Sequence, residues 1–205
     1  MTEDFGAGFC KFHPFIIDGQ VSRSATDVKK FEIVPIMMRE IPSSEESSKW
    51  LSLNSFVARL KREDLIYGTY FAIYRLRDAV EQENAVREVA NCKISVACEW
   101  IIRSGIELYR EALNGVTQDD EPVIRSGPLY KGQLGLCPER WLFWKSRLSN
   151  VSMDEVDEEV VKMAQQAVGE MERVEKVMKK RAMDLSTGEI HHRLSKKPRR
   201  TSKRT

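Results

Sequence analysis

The sequence has few of the residues on which enzymes and metal sites usually depend. Among 205 residues there are three histidines, His13, His191 and His192, and the last two lie close to the C-terminus. Catalytic triads and zinc sites usually require histidine, and neither a Cys-x-x-Cys nor a His-Glu-x-x-His pattern occurs. We therefore expect a protein that is not an enzyme and that has no cofactor and no metal ion.

Long apolar runs and paired cysteines are also missing. No apolar run approaches the roughly 18 residues that a membrane-spanning helix needs. The four cysteines are scattered without the spacing of a small disulfide framework. The opening residues, "MTEDFGAGFCKF", have neither the basic flank nor the apolar stretch of a signal peptide. These features predict an intracellular protein with reduced thiols and no membrane association.

The small net charge of +2 conceals a basic C-terminus. No acidic residue follows Glu189, whereas seven lysines and arginines do, so the rest of the chain carries −5. Two groups resemble the clusters of a bipartite nuclear-import signal: Lys180 and Arg181, then Arg193, Lys196, Lys197, Arg199 and Arg200. We expect a disordered basic tail over residues 184–205 and a nuclear or nucleocytoplasmic location. The alternatives are a weak nucleic-acid contact through the tail and a merely solvated terminus.

Apolar residues at helical spacing predict an all-α fold, an irregular bundle of about five helices with a long C-terminal helix. The helical domain is expected over residues 43–183. Residues 1–42 are interrupted by Pro14, Gly19 and Pro35, which predicts a poorly ordered N-terminal arm. The segment from Ala85 to Leu113 is apolar on two faces and is the expected centre of the bundle.

The last helix has an apolar stripe from Met153 to Met178, and Ser152 with Glu155 forms a capping box that predicts its start. A helix of about 30 residues extends roughly 45 Å, whereas a compact domain of this size is only some 30 Å across. The distal turns should therefore project. Three residues are then expected to dock another protein or a second copy of the chain: Val174, Val177 and Met178.

The most distinctive segment is "GLCPERWLFWKSRL", Gly135 to Leu148. In a helix beginning near Pro138, Trp141 and Trp144 share one face. Another face carries Arg140, Phe143 and Arg147. The favoured interpretation is that the tryptophans fill the core, and that the arginines either extend their charged ends to solvent or pair with Glu81 or Glu139. The alternative is an aromatic and guanidinium surface for a base or a flat ligand.

Three segments together resemble a known family: "WLSLNSFVARL", "YRLRDAVE" and "GPLYKGQLGLCPERWLFWK". The resemblance covers about residues 49–148 and is to a fungal family of proteins of unknown function. Its most specific part is Glu-Arg-Trp-x-Phe-Trp-Lys. It implies a mostly helical domain with no assigned activity.

The sequence as a whole favours a non-enzymatic helical interaction or scaffold protein. A nuclear nucleic-acid-associated protein that uses the basic tail is one alternative. A small-ligand binder, or an unrecognised enzyme at Trp141 and Trp144, is the other.

Overall fold

The computed structural model describes residues 46–84, 86–115 and 125–195, which belong to one compact unit, Met37–Thr205. For residues 186–195 only the helical backbone is described. The predicted N-terminal arm, residues 1–42, and the last ten residues, 196–205, lie outside this part of the chain.

Five α-helices and no β-strand occur in the described ranges, which confirms the all-α prediction and the long C-terminal helix. None of these helices is both long enough and apolar enough to cross a membrane. Their bounds are α1 Ser47–Arg62, α2 Thr69–Val80, α3 Arg87–Asn114, α4 Pro138–Ser149 and α5 Glu158–Ser195.

Helix α3 is the centre of the bundle, as its two apolar faces predict. It packs against each of the other four helices, and its Trp100 is completely buried. The indole Nε1 of Trp100 donates to Oδ1 of Asn54 on α1 at 3.2 Å, and the Asn54 amide donates to the Trp50 carbonyl at 3.0 Å. A buried indole N–H therefore has a partner, which avoids the penalty of burying an unsatisfied donor.

Helix α3 kinks where it meets the helices on its other side. Ser104 departs from helical geometry (φ −131°, ψ 21°), and its hydroxyl donates to the Trp100 carbonyl at 2.8 Å. The next residue is Gly105, at which an added Cβ would lie 3.7 Å from Val174 Cγ2 and 3.9 Å from the Trp141 ring. An added Cβ would therefore make ordinary van der Waals contacts with α4 and α5, both of which pack against α3 at this position.

Helix α5 begins one turn later than the capping box predicts. The Arg87 guanidinium of α3 donates to the carbonyls of Val156 at 2.8 Å and Met153 at 2.9 Å, and residues 153–155 between α4 and α5 form a turn in place of a first helical turn. The Asn91 amide group exchanges two hydrogen bonds with Asp157, at 2.7 and 2.9 Å. Contacts with α3, more than the local box, therefore set the start of α5 at Glu158.

The distal part of α5 differs from the prediction in where its side chains become exposed. Val174 is fully buried, so its assignment to a docking surface is wrong: it packs against the Gly105 position of α3. Val177 and Met178 are half-buried, and every side chain from Lys179 to Leu185 is exposed.

The same helix passes through the boundary expected at residue 184. It includes Gly188 and both neighbouring histidines and continues to Ser195. Lys180 and Arg181 are therefore helical, and so is the backbone at Arg193 in the second basic cluster. A disordered tail is not what the structure has for residues 184–195.

Burial of Cys98 in α3 gives stability a dependence on alkaline pH. Burial first, and the neighbouring Glu99 second, raises the pKa of Cys98 from 9.0 to about 12. Between these values the unfolded chain has released a proton that the folded chain retains. Stability therefore falls as pH rises through this interval.

We expect Cys98→Ala to reduce that alkaline loss. Urea unfolding at pH 8 and at pH 11 should show a smaller difference in the free energy of unfolding for the variant than for the wild type. Ile94→Val, a core change in the same helix without a titrating group, should leave the difference unchanged. If the free energy of unfolding changed equally between pH 8 and pH 11 in all three proteins, the alkaline loss would not come from Cys98.

Candidate functional site

The residues that carry the family resemblance converge on the carboxylate of Glu81. Glu81 follows Val80, the last residue of α2, while Arg140 and Trp144 lie one turn apart on α4. The loop that precedes α4, residues 125–137, passes over the same point. All three side chains are completely buried.

The Glu81 carboxylate accepts four hydrogen bonds. Arg140 binds it in a bidentate manner, with Nε 2.6 Å from Oε1 and Nη2 3.0 Å from Oε2. The Trp144 indole Nε1 donates to Oε1 at 2.6 Å, and the backbone N–H of Gly127 donates to Oε2 at 2.7 Å. Each carboxylate oxygen therefore has two donors, one of them charged.

The Arg140 guanidinium is enclosed by the loop and by aromatic rings. Its Nη1 donates to the Gly135 carbonyl at 3.0 Å and its Nη2 to the Arg125 carbonyl at 3.2 Å. Its central carbon lies 5.5 Å from the centre of the Tyr130 ring and 5.4 Å from that of Trp144. Both distances are within the range of a cation–π contact.

This arrangement favours a structural role for the ion pair. A general base must reach a substrate proton with a free lone pair, whereas both oxygens of Glu81 already accept internal hydrogen bonds. A buried charge is tolerated when it is paired and its remaining hydrogen-bonding capacity is used. The Glu81–Arg140 pair therefore clamps the loop and α4 to the end of α2.

The aromatic segment is core, as the favoured interpretation of the sequence predicts. Trp141 and Trp144 are fully buried, and Arg140 pairs with Glu81, one of the two expected partners. The alternative that placed Arg140 on an exposed surface is wrong, because its side chain extends inward to the buried carboxylate.

The other two members of that predicted surface are half-buried and have internal contacts. The Phe143 ring lies 5.1 Å from the Tyr130 ring, and Arg147 Nε donates to the Val80 carbonyl at 3.2 Å. The structure therefore does not bring Arg140, Phe143 and Arg147 together as one open face.

A second cluster, not predicted from the sequence, fastens α5 to α4. Glu175 accepts from the Trp141 indole Nε1 at 3.0 Å, and Lys145 Nζ lies 2.7 Å from both of its oxygens. The Tyr109 ring of α3 lies 5.1 Å from the Trp141 ring. Burial, and then the Glu175 charge, raises the pKa of Tyr109.

A third cluster joins the first three helices. Lys61 of α1 is buried, and its Nζ lies 2.7 Å from Oε1 of Glu111 on α3. The Thr69 hydroxyl, at the start of α2, donates to the other oxygen of Glu111 at 2.5 Å. Thr69 lies 42 positions and Lys61 lies 50 positions from Glu111 in the sequence, so no local pattern could have predicted these contacts.

A cleft of about 260 Å³ lies between α1 and α3, away from these clusters. Burial raises the pKa of its Cys92, which makes that thiol a poorer nucleophile. No group of three or more His, Cys, Asp or Glu side chains in the described ranges is arranged to bind a metal ion. Seven residues line the cleft: Ser47, Ser48, Leu51, Glu88, Asn91, Cys92 and Ser95.

A substitution at Gly127 would test how closely the loop must approach Glu81. A Cβ added there would lie 2.5 Å from the Glu81 carbonyl oxygen, which is backbone and cannot move aside. We expect Gly127→Ala to lower the free energy of unfolding by about 1–3 kcal/mol, the usual range for overpacking. Urea unfolding monitored by circular dichroism would measure it.

The control for this change is Gly169→Ala, in the exposed middle of α5, where an added Cβ meets no atom within 4 Å. Because glycine is a poor helix former, this variant should gain about 0.5–1 kcal/mol. If Gly127→Ala were as stabilising as Gly169→Ala, the loop would not need the close approach of Gly127 to Glu81.

The fold and the clusters define an all-α domain whose helices are joined by buried and half-buried ion pairs. The chain belongs to the DUF3632 family, described as proteins of unknown function, which it matches over residues 22–148. No curated protein and no solved structure matches the chain. The match extends further toward the N-terminus than the resemblance did, while a fungal origin stays a prediction.

Proposed function

We propose that this domain is a non-enzymatic interaction module that binds a protein partner through the distal segment of α5, defined as residues 176–185. The observation that carries the proposal is the change from buried to exposed side chains along this helix. Among the side chains described for this helix, up to Leu185, the last fully buried one is Val174, and the seven from Lys179 to Leu185 are all exposed.

The length of the exposed part of α5 supports a binding role. The described exposed residues after the half-buried Met178 are 179–185, which extend about 10 Å at 1.5 Å per residue. Isolated helices of this length are marginal in water, because most helical stability in proteins comes from packing. A partner that packs on the distal segment would supply that stabilisation.

The polar clusters of the body support the non-enzymatic part of the proposal. The carboxylates of Glu81, Glu111 and Glu175 each accept hydrogen bonds from side chains of other helices. They join the helices to one another, which is what a rigid scaffold for a presented helix requires.

Site-specific photo-crosslinking in cells of the source organism would test the proposal. A benzophenone amino acid in place of Leu185, which is 72% exposed, should form adducts with another protein. The matched control is the same amino acid in place of Leu142, a 53% exposed leucine on α4. Adducts of equal yield at the two positions, or none at Leu185, would contradict it.

A second candidate is contact with nucleic acid or an import receptor through the same basic helix. Lys179, Lys180 and Arg181 are consecutive and exposed, which favours this candidate. In a reporter fusion, Lys180→Ala with Arg181→Ala should then reduce nuclear enrichment. A phosphate contact would show as an affinity for duplex DNA that falls steeply with added salt.

A further inference from the structure

The distal segment of α5 is amphipathic, and its apolar side continues the buried stripe of the helix. Met178, Ala182 and Leu185 follow Val174 at steps of four, four and three, which places all of them on one face. Within the stripe the degree of exposure rises along the helix. Val174 is buried, Met178 is half-buried and Leu185 is 72% exposed.

The charge of the distal segment is almost entirely positive. Its four cations are all exposed, and Asp184 is its one acid, which leaves a net charge of +3. Glu175, immediately before the segment, is bound to Lys145 of α4. The cations are Lys176, Lys179, Lys180 and Arg181.

From this combination we infer that the partner presents an apolar groove with an acidic rim, which receives the distal segment as an amphipathic helix. The inference rests on the proposed function and adds the chemistry of the partner. The apolar face would lie in the groove, with Leu185 as its deepest new contact. Lys179 and Arg181, which flank the apolar face on its two sides, would meet carboxylates at the rim, where charge complementarity selects the partner and orients the helix.

Charge argues against a second copy of the chain as the occupant. Two distal segments packed against each other would bring two groups of net +3 together. Like charges in such positions oppose association. The groove of a different, acidic protein has the complementary charge.

The apolar stripe argues against nucleic acid and membranes as the occupant. A phosphate backbone would bind the lysines but would leave Met178, Ala182 and Leu185 without a partner. Helices that lie in a membrane interface typically carry tryptophan, phenylalanine and leucine on the apolar face. Residues 176–185 contain a single leucine and no aromatic residue.

Binding of synthetic peptides to the full-length chain would test the inference. The probe is a helical peptide with a leucine stripe flanked by glutamates, labelled for fluorescence anisotropy, and its control has lysine at every glutamate position. The wild-type chain should bind the acidic peptide and not the basic one.

Two pairs of variants separate the apolar and the charged contributions. Leu185→Glu should weaken binding of the acidic peptide at least about tenfold, as loss of a buried leucine contact implies, whereas Leu142→Glu should not. Lys179→Glu with Arg181→Glu should also weaken it. Arg110→Glu with Lys131→Glu, two exposed positions of the body with the same change of charge, should leave it intact.

Each other occupant predicts a different outcome. Binding of duplex DNA or of anionic vesicles that is as tight as peptide binding and insensitive to Leu185→Glu would overturn the inference. So would a dimer in sedimentation that Leu185→Glu dissociates, or crosslinks from position 185 to residues 1–45 of the same chain. Protein adducts at position 185 without any binding of the acidic peptide would overturn the inference and leave the proposed function standing. Absence of adducts would overturn both.

Discussion

Replacing Arg140 by methionine should lower the free energy of unfolding by about 3–5 kcal/mol, the usual effect of removing one partner of a buried ion pair. The Glu81 carboxylate would lose two of its four donors and would remain buried with an uncompensated charge. At the same time the Gly135 carbonyl would lose its Arg140 donor, and the Arg125 carbonyl would keep only its longer bond from Arg77.

Urea unfolding of wild type and variant would measure this loss. Arg110→Met is the control, because Arg110 is exposed on α3 and its replacement should change stability by no more than about 0.5 kcal/mol. Adding Glu81→Gln to Arg140→Met should recover part of the loss, because it removes the unpaired charge. An Arg140 variant as stable as the Arg110 variant would show that the ion pair does not hold the loop.

Replacing Trp141 by alanine should also lower the free energy of unfolding by about 3–5 kcal/mol, the range for deleting a large buried aromatic side chain. The ring is fully buried beside Tyr109, and its Nε1 donates to Glu175. The variant would therefore lose core volume together with one of the hydrogen bonds that link α4 to α5, while the Lys145–Glu175 ion pair remains.

The neighbouring residue provides the matched control. Leu142→Ala, one position further along α4 and half exposed, should change stability by no more than about 0.5 kcal/mol. Trp141→Phe should lose less than Trp141→Ala, since most of the ring volume is kept and mainly the Glu175 hydrogen bond is removed. Comparable melting temperatures for Trp141→Ala and Leu142→Ala would contradict the core assignment.

The features that follow from local periodicity could be predicted from the sequence. The two apolar faces of α3 require burial on both sides, and the spacing of Trp141 and Trp144 places both rings on one face of α4. Glu81 is one of the two acids predicted as partners of the neighbouring arginines, whereas the complete burial of Arg140 is not predicted. These predictions depend on the residues of one helix, or on the general cost of burying a charge.

The features that depend on distant residues could not be predicted. The start of α5 is set by Arg87 and Asn91, which lie more than 60 positions away on α3. The burial of Val174 differs from the prediction because that prediction assumes a compact domain about 30 Å across. Helix α3 alone has 28 residues and is about 42 Å long, so it covers more of α5 than a compact sphere would.

The contacts of Glu81 also determine how the loop of residues 125–137 exchanges its amide hydrogens with solvent. The N–H of Gly127 donates to the Glu81 carboxylate, and the N–H of Leu129 donates to the Glu81 carbonyl at 3.0 Å. Exchange at the Gly127 amide requires its release from the buried carboxylate, and exchange at the Leu129 amide requires its release from the Glu81 backbone carbonyl. Although neither residue belongs to a helix, both amides should exchange only in openings nearly as costly as global unfolding, at rates resembling those of the core helices.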